Sequence, residues 1–268
     1  MEDSRLFSAL LRYWRKRRGL SQLDLALTAD VSARHISYME TGRSKPSPEM
    51  VLLIAATLDL PLRERNAMLR AAGFAAFYEE PGGQPLAHLP EPVLGALEQM
   101  MDQHEPFPMM VMDRCYNVLK LNRAATQLLT FVGVDVTQPF NVIKVLFEPS
   151  MLKPLMKNWE ETAREVLTRL QRESLHHDHV QGLKTLLDEI LAMEGVPASW
   201  KRPDLSTGQD CAYVFRMALP GHDDLAFLTT MMRFSAPQNV VLDELQIESY
   251  FPYNPSTRQF CQALAPKS

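Results

Sequence analysis

The sequence predicts two domains of different fold class, a small all-α domain over residues 1–75 and a larger α+β domain over residues 91–268. Residues 21–42 have the pattern of two short helices joined by a tight turn. In the second domain, short apolar runs predict β-strands, and other segments have the apolar spacing of helices. Charge separates the two parts as well: residues 1–73 contain 12 Lys and Arg against 8 Asp and Glu, and residues 74–268 contain 16 against 24. This balance favours contact with a polyanion through the first domain alone.

The first helix of the pair begins at Ser21, whose hydroxyl can accept a hydrogen bond from a free N–H of the first turn. Leu23, Ala26 and Leu27 recur at helical spacing, and we expect them to face the core. Asp30 occupies the sharp turn that follows, where Asp tolerates the left-handed backbone better than most residues.

The second helix is predicted to begin at Ser32 and to end at Gly42, the expected left-handed residue after a helix. Ile36 and Met39 are placed inward by the helical period. The outward face then consists of Arg34, His35, Ser37 and Tyr38.

Three further helices complete the first domain. One carries the apolar stripe Leu6, Leu10, Leu11 and Trp14. Another starts at Ser47-Pro48-Glu49, with a capping serine, a proline at the first position and an acid near the positive helix end. The last covers residues 62–72, after Pro61 breaks the chain and before Gly73 closes the helix. Five short helices therefore form this domain.

These residues resemble the Xre family of repressor-like helix-turn-helix domains. The resemblance rests on Arg17-Arg18-Gly19-Leu20-Ser21-Gln22, Leu25-Ala26, Val31-Ser32, Ile36-Ser37, Met39-Glu40-Thr41-Gly42 and Pro46-Ser47. Asp30 departs from the family, which usually has glycine in the turn. The resemblance implies that the domain binds double-stranded DNA, with the third helix in the major groove.

The resemblance also implies roles for single residues. Gln22 and Ser32 are expected to contact phosphates, and Arg43 and Lys45 to contact the DNA backbone. Base edges are expected to be read by Ala33, Arg34, Ser37 and Tyr38. Arg34 is the main candidate for specificity, because a guanidinium can bond a guanine through two hydrogen bonds, worth roughly 1–3 kcal/mol against the wrong base. The alternative is that Arg34 and Tyr38 form only a solvated helix face.

Residues 76–90 are predicted to be a linker, because Pro, Gly and charged residues leave little to bury. A helix over residues 92–101 follows, and then a hairpin and a helix capped by Asn122. Helices dominate residues 149–193. The last predicted strands cover residues 211–219, 225–234 and 240–247. This order indicates an antiparallel sheet with helices on one face.

The second domain resembles a PAS-type sensor and, more narrowly, the ligand-binding domain of MmyB-like regulators. The residues that carry the resemblance are Tyr116-Asn117-Val118-Leu119, Asn122-Arg123-Ala124-Ala125, Asn141-Val142, Leu146-Phe147, Trp159 with Ala163, and residues 245–252. It implies a small ligand between the sheet and its helices, of the apolar kind represented by a fatty acid.

Fifteen methionines are a high number for this length, and thioether side chains adapt to irregular apolar guests. The candidate ligand-binding residues are Met110, Met112, Trp159, Phe215, Met217, Arg233 and Tyr250. The methionines and aromatic residues could equally be ordinary core. Arg216 and Arg233 interrupt apolar strands, so each must face solvent or have a partner. We favour a solvated face or a salt bridge for both, with the carboxylate of a ligand as the alternative partner.

Several classes of function lack support in the sequence. Three scattered cysteines without a CxxC pair favour a reducing, cytoplasmic compartment and no disulfide or zinc site. Residues 176–179, His-His-Asp-His, are too close together to converge on one metal ion. We find no catalytic motif, no cofactor motif and no apolar run of about 18 residues that would span a membrane. We therefore expect a protein that is not an enzyme and needs no cofactor.

The expected function is a ligand-responsive transcription regulator that binds DNA as a homodimer. The alternative is a DNA-binding regulator whose second domain serves only dimerisation or protein docking, as in antitoxin-like regulators. The sequence identifies neither the operator nor the ligand.

Overall fold

The computed structural model describes residues 2–80, 83–176, 181–202, 213–235, 237 and 239–264. The chain forms two compact units. The N-terminal unit contains residues 1–88 together with Phe234–Asp243, and the C-terminal unit contains residues 89–233 and 244–268. Within the described part of the chain, none of the helices combines the length and the apolar character needed to cross a membrane.

Residues 2–80 contain five helices, as predicted. They are α1 (Glu2–Arg17), α2 (Gln22–Thr28), α3 (Ala33–Glu40), α4 (Pro48–Thr57) and α5 (Leu62–Ala71). The predicted caps are present: the hydroxyl of Ser21 accepts from the Asp24 N–H, while the Asp24 carboxylate accepts from the Ser21 N–H. The hydroxyl of Ser32 accepts from the His35 N–H at the start of α3. The reciprocal bonds of Ser21 and Asp24 fix where α2 begins, and the bond to Ser32 fixes where α3 begins.

The turns that frame α3 use the left-handed backbone, as the sequence predicted. Asp30 has φ 53° between α2 and α3, and Gly42 has φ 71° after α3. Asp30 adopts this conformation at a modest cost, because Asp tolerates the left-handed region better than most residues.

The prediction that Leu23 and Leu27 face the core is wrong. Their side chains are 57% and 72% exposed, whereas Leu25, Ala26 and Ala29 are buried. Ala29 lies four positions after Leu25 and three after Ala26, so these three residues share one face. Leu23 and Leu27 lie on a different face. The prediction for α3 is confirmed, because Ile36 and Met39 are fully buried.

The C-terminal unit combines helices with one antiparallel sheet. The helices are α6 (Glu91–His104), α7 (Arg123–Phe131), α8 (Val142–Phe147), α9 (Trp159–His176), α10 (Gln181–Ala192) and α12 (Pro255–Leu264). Helix α11 (Val240–Glu244) lies between the last two strands in sequence, but its residues 240–243 belong to the N-terminal unit. The strands are β1 (Met109–Met112), β2 (Val118–Leu121), β3 (Val214–Leu219), β4 (His222–Met232) and β5 (Gln246–Pro252). Their order across the sheet is β2-β1-β5-β4-β3. The α+β class is thus confirmed.

The register of the strands places one set of side chains on the same sheet face. Met110 of β1 is paired with Glu248 of β5, and Tyr250 of β5 is paired with Thr229 of β4. Phe215 of β3 is paired with Phe227 of β4. Because side chains alternate along a strand, these residues face the same side. This side packs against a core that includes Ala163, Val166 and Leu170 of α9.

The strand predicted for residues 240–247 is wrong over its first part. Residues Val240–Glu244 form α11, where the Asn239 side chain accepts a hydrogen bond from the Leu242 N–H. A short, continuous run of apolar residues suits a buried helix as well as a buried strand, so periodicity could not separate the two. The strand begins later, at Gln246.

Residues 234–243, which we call the arm, belong to the N-terminal unit although they lie between β4 and β5 in sequence. The Val240 N–H donates to the Glu79 carbonyl at 3.3 Å, and the Leu62 N–H donates to the Asp243 carboxylate at 3.0 Å. Val240, Val241 and Leu242 are buried. The arm therefore completes the N-terminal unit.

Of the predicted linker, Pro81 and Gly82 lie outside the described residues.

Candidate DNA-recognition surface and ligand pocket

The outward face of α3 carries a cation–aromatic cluster. Arg34 is exposed, and its Nε donates to the Tyr38 hydroxyl at 2.9 Å. The Arg34 guanidinium carbon lies 5.1 Å from the centroid of the Tyr38 ring, and that of Arg43 lies 5.9 Å from it. Both contacts fall within the range of cation–π attraction. Tyr38 thus holds two cations at the surface of the predicted recognition helix.

The other predicted DNA-binding residues differ in their exposure and in their hydrogen-bond partners. Ala33 and Ser37 are half-buried on α3, and Lys45 is exposed beyond its end. The Ser32 hydroxyl is already used in the cap of α3, although its side chain is exposed. The Gln22 amide donates to a Glu40 carboxylate oxygen at 2.7 Å, so this donor is used within the protein.

Glu40 is the buried centre behind this surface. Its carboxylate accepts from Arg15 Nε at 2.6 Å and from a second Arg15 nitrogen at 3.0 Å, in addition to Gln22. Burial by itself would raise the pKa of Glu40, but the bonds from Arg15 and Gln22 and the positive charges of Arg15 and Arg12 lower it below its ordinary value. The ionised group therefore links α1, α2 and α3.

A cavity of about 80 Å³ lies in the C-terminal unit between the sheet and its helices. Most of the side chains that line it are apolar. Helices α7, α8 and α9 contribute Ala125, Leu128, Leu129, Val142, Ile143, Leu146 and Val166. Such a lining suits an apolar guest.

Four of the predicted ligand-binding residues line this cavity: Met110, Phe215, Met217 and Tyr250. The other three, Met112, Trp159 and Arg233, are not among its lining residues. Met112 is fully buried in the core.

Trp159 and Arg233 have other partners. The Trp159 indole donates to the Leu146 carbonyl at 2.9 Å and stacks on Trp200 with ring centroids 6.0 Å apart. Arg233 pairs with Glu173 at 2.7 Å, so the salt bridge that we favoured from the sequence is confirmed. Arg216 lies near Asp224, with 3.7 Å between a guanidinium nitrogen and a carboxylate oxygen.

The sequence reasoning missed the polar residues of the cavity. Arg169 lines it from α9, and Tyr213 and Glu248 line it from the sheet side. Glu248 accepts from the Tyr213 hydroxyl at 3.2 Å and from the Tyr250 hydroxyl at 3.0 Å. A signal was present in the sequence, because Arg169 follows Val166 by three positions on the face that also contains Thr162.

Two polar atoms on the pocket side of α9 have no hydrogen-bond partner among the described residues. They are Nε of Arg169 and Oγ1 of Thr162, and both residues line the cavity. A buried polar group without a partner is costly, so each is expected to acquire one from a bound molecule or from water.

The histidine cluster falls largely outside the described residues, which exclude His177, Asp178 and His179.

Comparison with known families assigns both units. A family model described as the MmyB-like transcription regulator ligand binding domain matches residues 93–264, and a helix-turn-helix family model matches residues 11–65. No curated protein sequence matches the chain. The cavity lies within the first match, and α2 and α3 lie within the second. The protein is a helix-turn-helix DNA-binding regulator with a ligand-binding domain, and it belongs to the family of MmyB-like transcription regulators.

Proposed function

We propose that the protein is a homodimeric, sequence-specific transcription regulator whose DNA binding responds to a small apolar ligand of the fatty-acid kind. The ligand occupies the cavity of the C-terminal unit. The protein acts in the cytoplasm, where its DNA target lies, and it catalyses no reaction. Two copies of α3 enter the major groove at half-sites about 34 Å apart, one turn of the double helix.

The observation that carries the ligand proposal is the composition of the cavity wall. Leu128, Leu129 and Leu146 line one side, and the thioethers of Met110 and Met217 line the sheet side. At about 80 Å³ the cavity is small, and flexible methionines can change conformation to admit a larger apolar chain. A ligand then affects DNA binding to the extent that it favours one dimer geometry over another.

The DNA proposal is supported by the surface of α3. Arg34, Tyr38 and Arg43 form a cluster of two cations on one aromatic ring. An exposed guanidinium on a recognition helix can read guanine directly. Lys45 is exposed, follows Arg43 by two positions in the sequence, and suits a phosphate.

Native mass spectrometry of the full-length protein, purified without added ligand, tests this proposal. We expect the mass of a dimer that carries a small molecule, and release of an apolar molecule on denaturation. As a test of location, Ala125→Leu adds bulk to a residue that lines the cavity. This variant should lose the molecule while it keeps the dimer.

The same measurement separates the alternative, in which the C-terminal unit only dimerises or docks a protein partner. That alternative predicts a dimer whose mass equals two chains, with no molecule released from either the parent or Ala125→Leu. This result would contradict the ligand proposal and leave the DNA-binding role intact.

A further inference from the structure

Arg169 has an unusual position for a charged residue. It lies deep in the C-terminal unit, and it lines the cavity. Its Nε has no hydrogen-bond partner among the described residues. The guanidinium carbon lies 5.4 Å from the ring centroid of Tyr116 and 5.8 Å from that of Tyr213. The two rings hold the guanidinium in place without using its N–H donors.

The nearby carboxylates have other hydrogen-bond donors. Both oxygens of Glu248 accept from tyrosine hydroxyls, one from Tyr213 and one from Tyr250. Glu173 accepts from Arg233 at 2.7 Å and from the Tyr116 hydroxyl at 2.7 Å. Arg169 is therefore attracted to both acids by charge, yet neither gives it the paired hydrogen bonds that a guanidinium makes with a carboxylate.

The two charged residues that line the cavity balance each other. Arg169 provides one positive charge, and Glu248 provides one negative charge when it is ionised. An anion bound at Arg169 would add a second negative charge to a buried site. Such a site accepts the anion more readily if one carboxylate becomes neutral.

Glu248 is the carboxylate that can become neutral when an anion binds. It lines the cavity with Arg169, whereas Glu173 has a salt bridge to Arg233. Burial raises the pKa of Glu248 above its ordinary value, against the opposing effects of Arg169 and of the bonds from Tyr250 and Tyr213. The other titratable groups around it, Tyr213 and Tyr250, have pKa values raised by burial and stay neutral near pH 7.

From this geometry, and building on the fatty-acid-like ligand of the proposed function, we propose that Arg169 binds the carboxylate of that ligand and that Glu248 takes up one proton from solvent when the anion binds. The proton converts the Glu248 carboxylate to a neutral carboxyl group, so the number of negative charges in the cavity stays the same. The apolar chain lies along the leucine and methionine wall.

The test compares two probes with the same chain, octanoic acid and octanol, by calorimetric titration of the ligand-free, full-length protein. Near pH 6 the parent should bind octanoate about tenfold or more tightly than octanol, since a charge-assisted pair adds roughly that factor. Arg169→Met should remove this preference while octanol binding persists. Arg169→Lys should restore part of it. Binding of octanol serves as the internal control for folding.

The proton is tested by the dependence of affinity on pH. Octanoate is ionised above about pH 6, so between about pH 6 and 8 its own titration contributes little. Affinity of the parent for octanoate should fall as the pH rises, by at most about tenfold per pH unit, the limit for one proton. Glu248→Gln should bind octanoate at least as tightly and without this slope. Octanol binding should not depend on pH in either protein.

The outcomes distinguish this inference from the proposed function. Equal affinity for octanoate and octanol, or an unchanged preference in Arg169→Met, would overturn the role of Arg169 and leave the apolar site in place. A flat pH profile for octanoate in the parent would overturn proton uptake at Glu248. If the ligand-free protein bound neither probe, the proposed function would fail together with this inference.

Discussion

Glu40 is a buried carboxylate that connects α3 to α1 and α2. It joins Arg15 of α1 and Gln22 of α2 at the end of α3. Removal of one partner of a buried ion pair leaves the other charge without compensation. We expect Glu40→Ala to lower the free energy of unfolding of the N-terminal unit by roughly 3 kcal/mol. Amide hydrogen exchange in the N-terminal unit measures this loss.

The control is the double variant Arg15→Met with Glu40→Met, because apolar residues of similar size leave no unpaired charge. It should be clearly more stable than Glu40→Ala. If the double variant were the less stable of the two, the ion pair would not explain the loss.

The pH dependence of stability follows from the lowered pKa of Glu40. Its ordinary value is 4.5, and its value in the folded protein is lower. The unfolded chain therefore binds the proton more readily, so the stabilisation is fully present above the ordinary value. It is lost as the pH falls from 4.5 through the folded pKa. The stability of the parent should fall in this window, and that of the double variant should fall less.

Arg34 and Lys45 are expected to differ in what they contribute to DNA binding. Arg34 lies in the cluster on Tyr38, and Lys45 lies beyond the end of α3. Selection of binding sites from a random DNA pool tests the difference. Arg34→Ala should lose preference at a base position, by roughly 1–3 kcal/mol. Lys45→Ala should select the same sequence as the parent but bind all DNA more weakly, and the slope of log affinity against log salt should fall by about one unit.

If both variants selected the same sequence with the affinity of the parent, the assignment of α3 as the reading helix would be wrong.

At this scale, the residues that could be predicted from the sequence are those whose role is local. Ser21, Ser32 and Asp30 act through bonds and angles within a few positions, so their neighbours determine them. Helical spacing places Arg169 on the same face of α9 as Val166, but its surroundings could not be predicted, because Tyr116, Tyr213 and Glu248 are distant in sequence.

Among the elements, α5 depends on a distant part of the chain. It begins after Pro61, which gives it no side-chain cap, and the Leu62 N–H instead donates to the Asp243 carboxylate of the arm. A capping acceptor is typically worth about 1 kcal/mol. We expect Asp243→Ala to lower the unfolding free energy of the N-terminal unit by about that amount, as measured by denaturant unfolding.

Asp243→Asn keeps an oxygen acceptor and serves as the matched control, with a smaller expected loss. An Asp243→Ala protein as stable as the parent would show that the arm does not stabilise α5.

The elements also show where pattern reasoning stops. The helices of the N-terminal unit have caps in their own sequence or a clear apolar stripe, and the sequence predicts all five. The arm has a short apolar run without a diagnostic period, so its residues 240–244 were expected to be a strand. Its assignment to the N-terminal unit depends on contacts more than 150 positions away in sequence, as between Leu62 and Asp243.

For the whole molecule, the path of the chain connects the sheet that lines the cavity to the N-terminal unit. The chain leaves the C-terminal unit after Arg233, forms the arm within the N-terminal unit, and re-enters at Glu244. Strand β5 then begins at Gln246 and carries Glu248 and Tyr250 into the cavity wall. Glu248 and Tyr250 therefore follow the arm closely in sequence, and Asp243 of the arm accepts a hydrogen bond at the start of α5. We expect the arm to take part in the response.

The central claim is that occupancy of the cavity changes the affinity for DNA. The most direct test measures DNA affinity of the full-length protein with its co-purified molecule and again after that molecule has been removed, with mass spectrometry to verify each state. A coupling of ordinary size would change the affinity by about fivefold or more. Equal DNA affinity in the loaded and the verified empty protein would contradict the account.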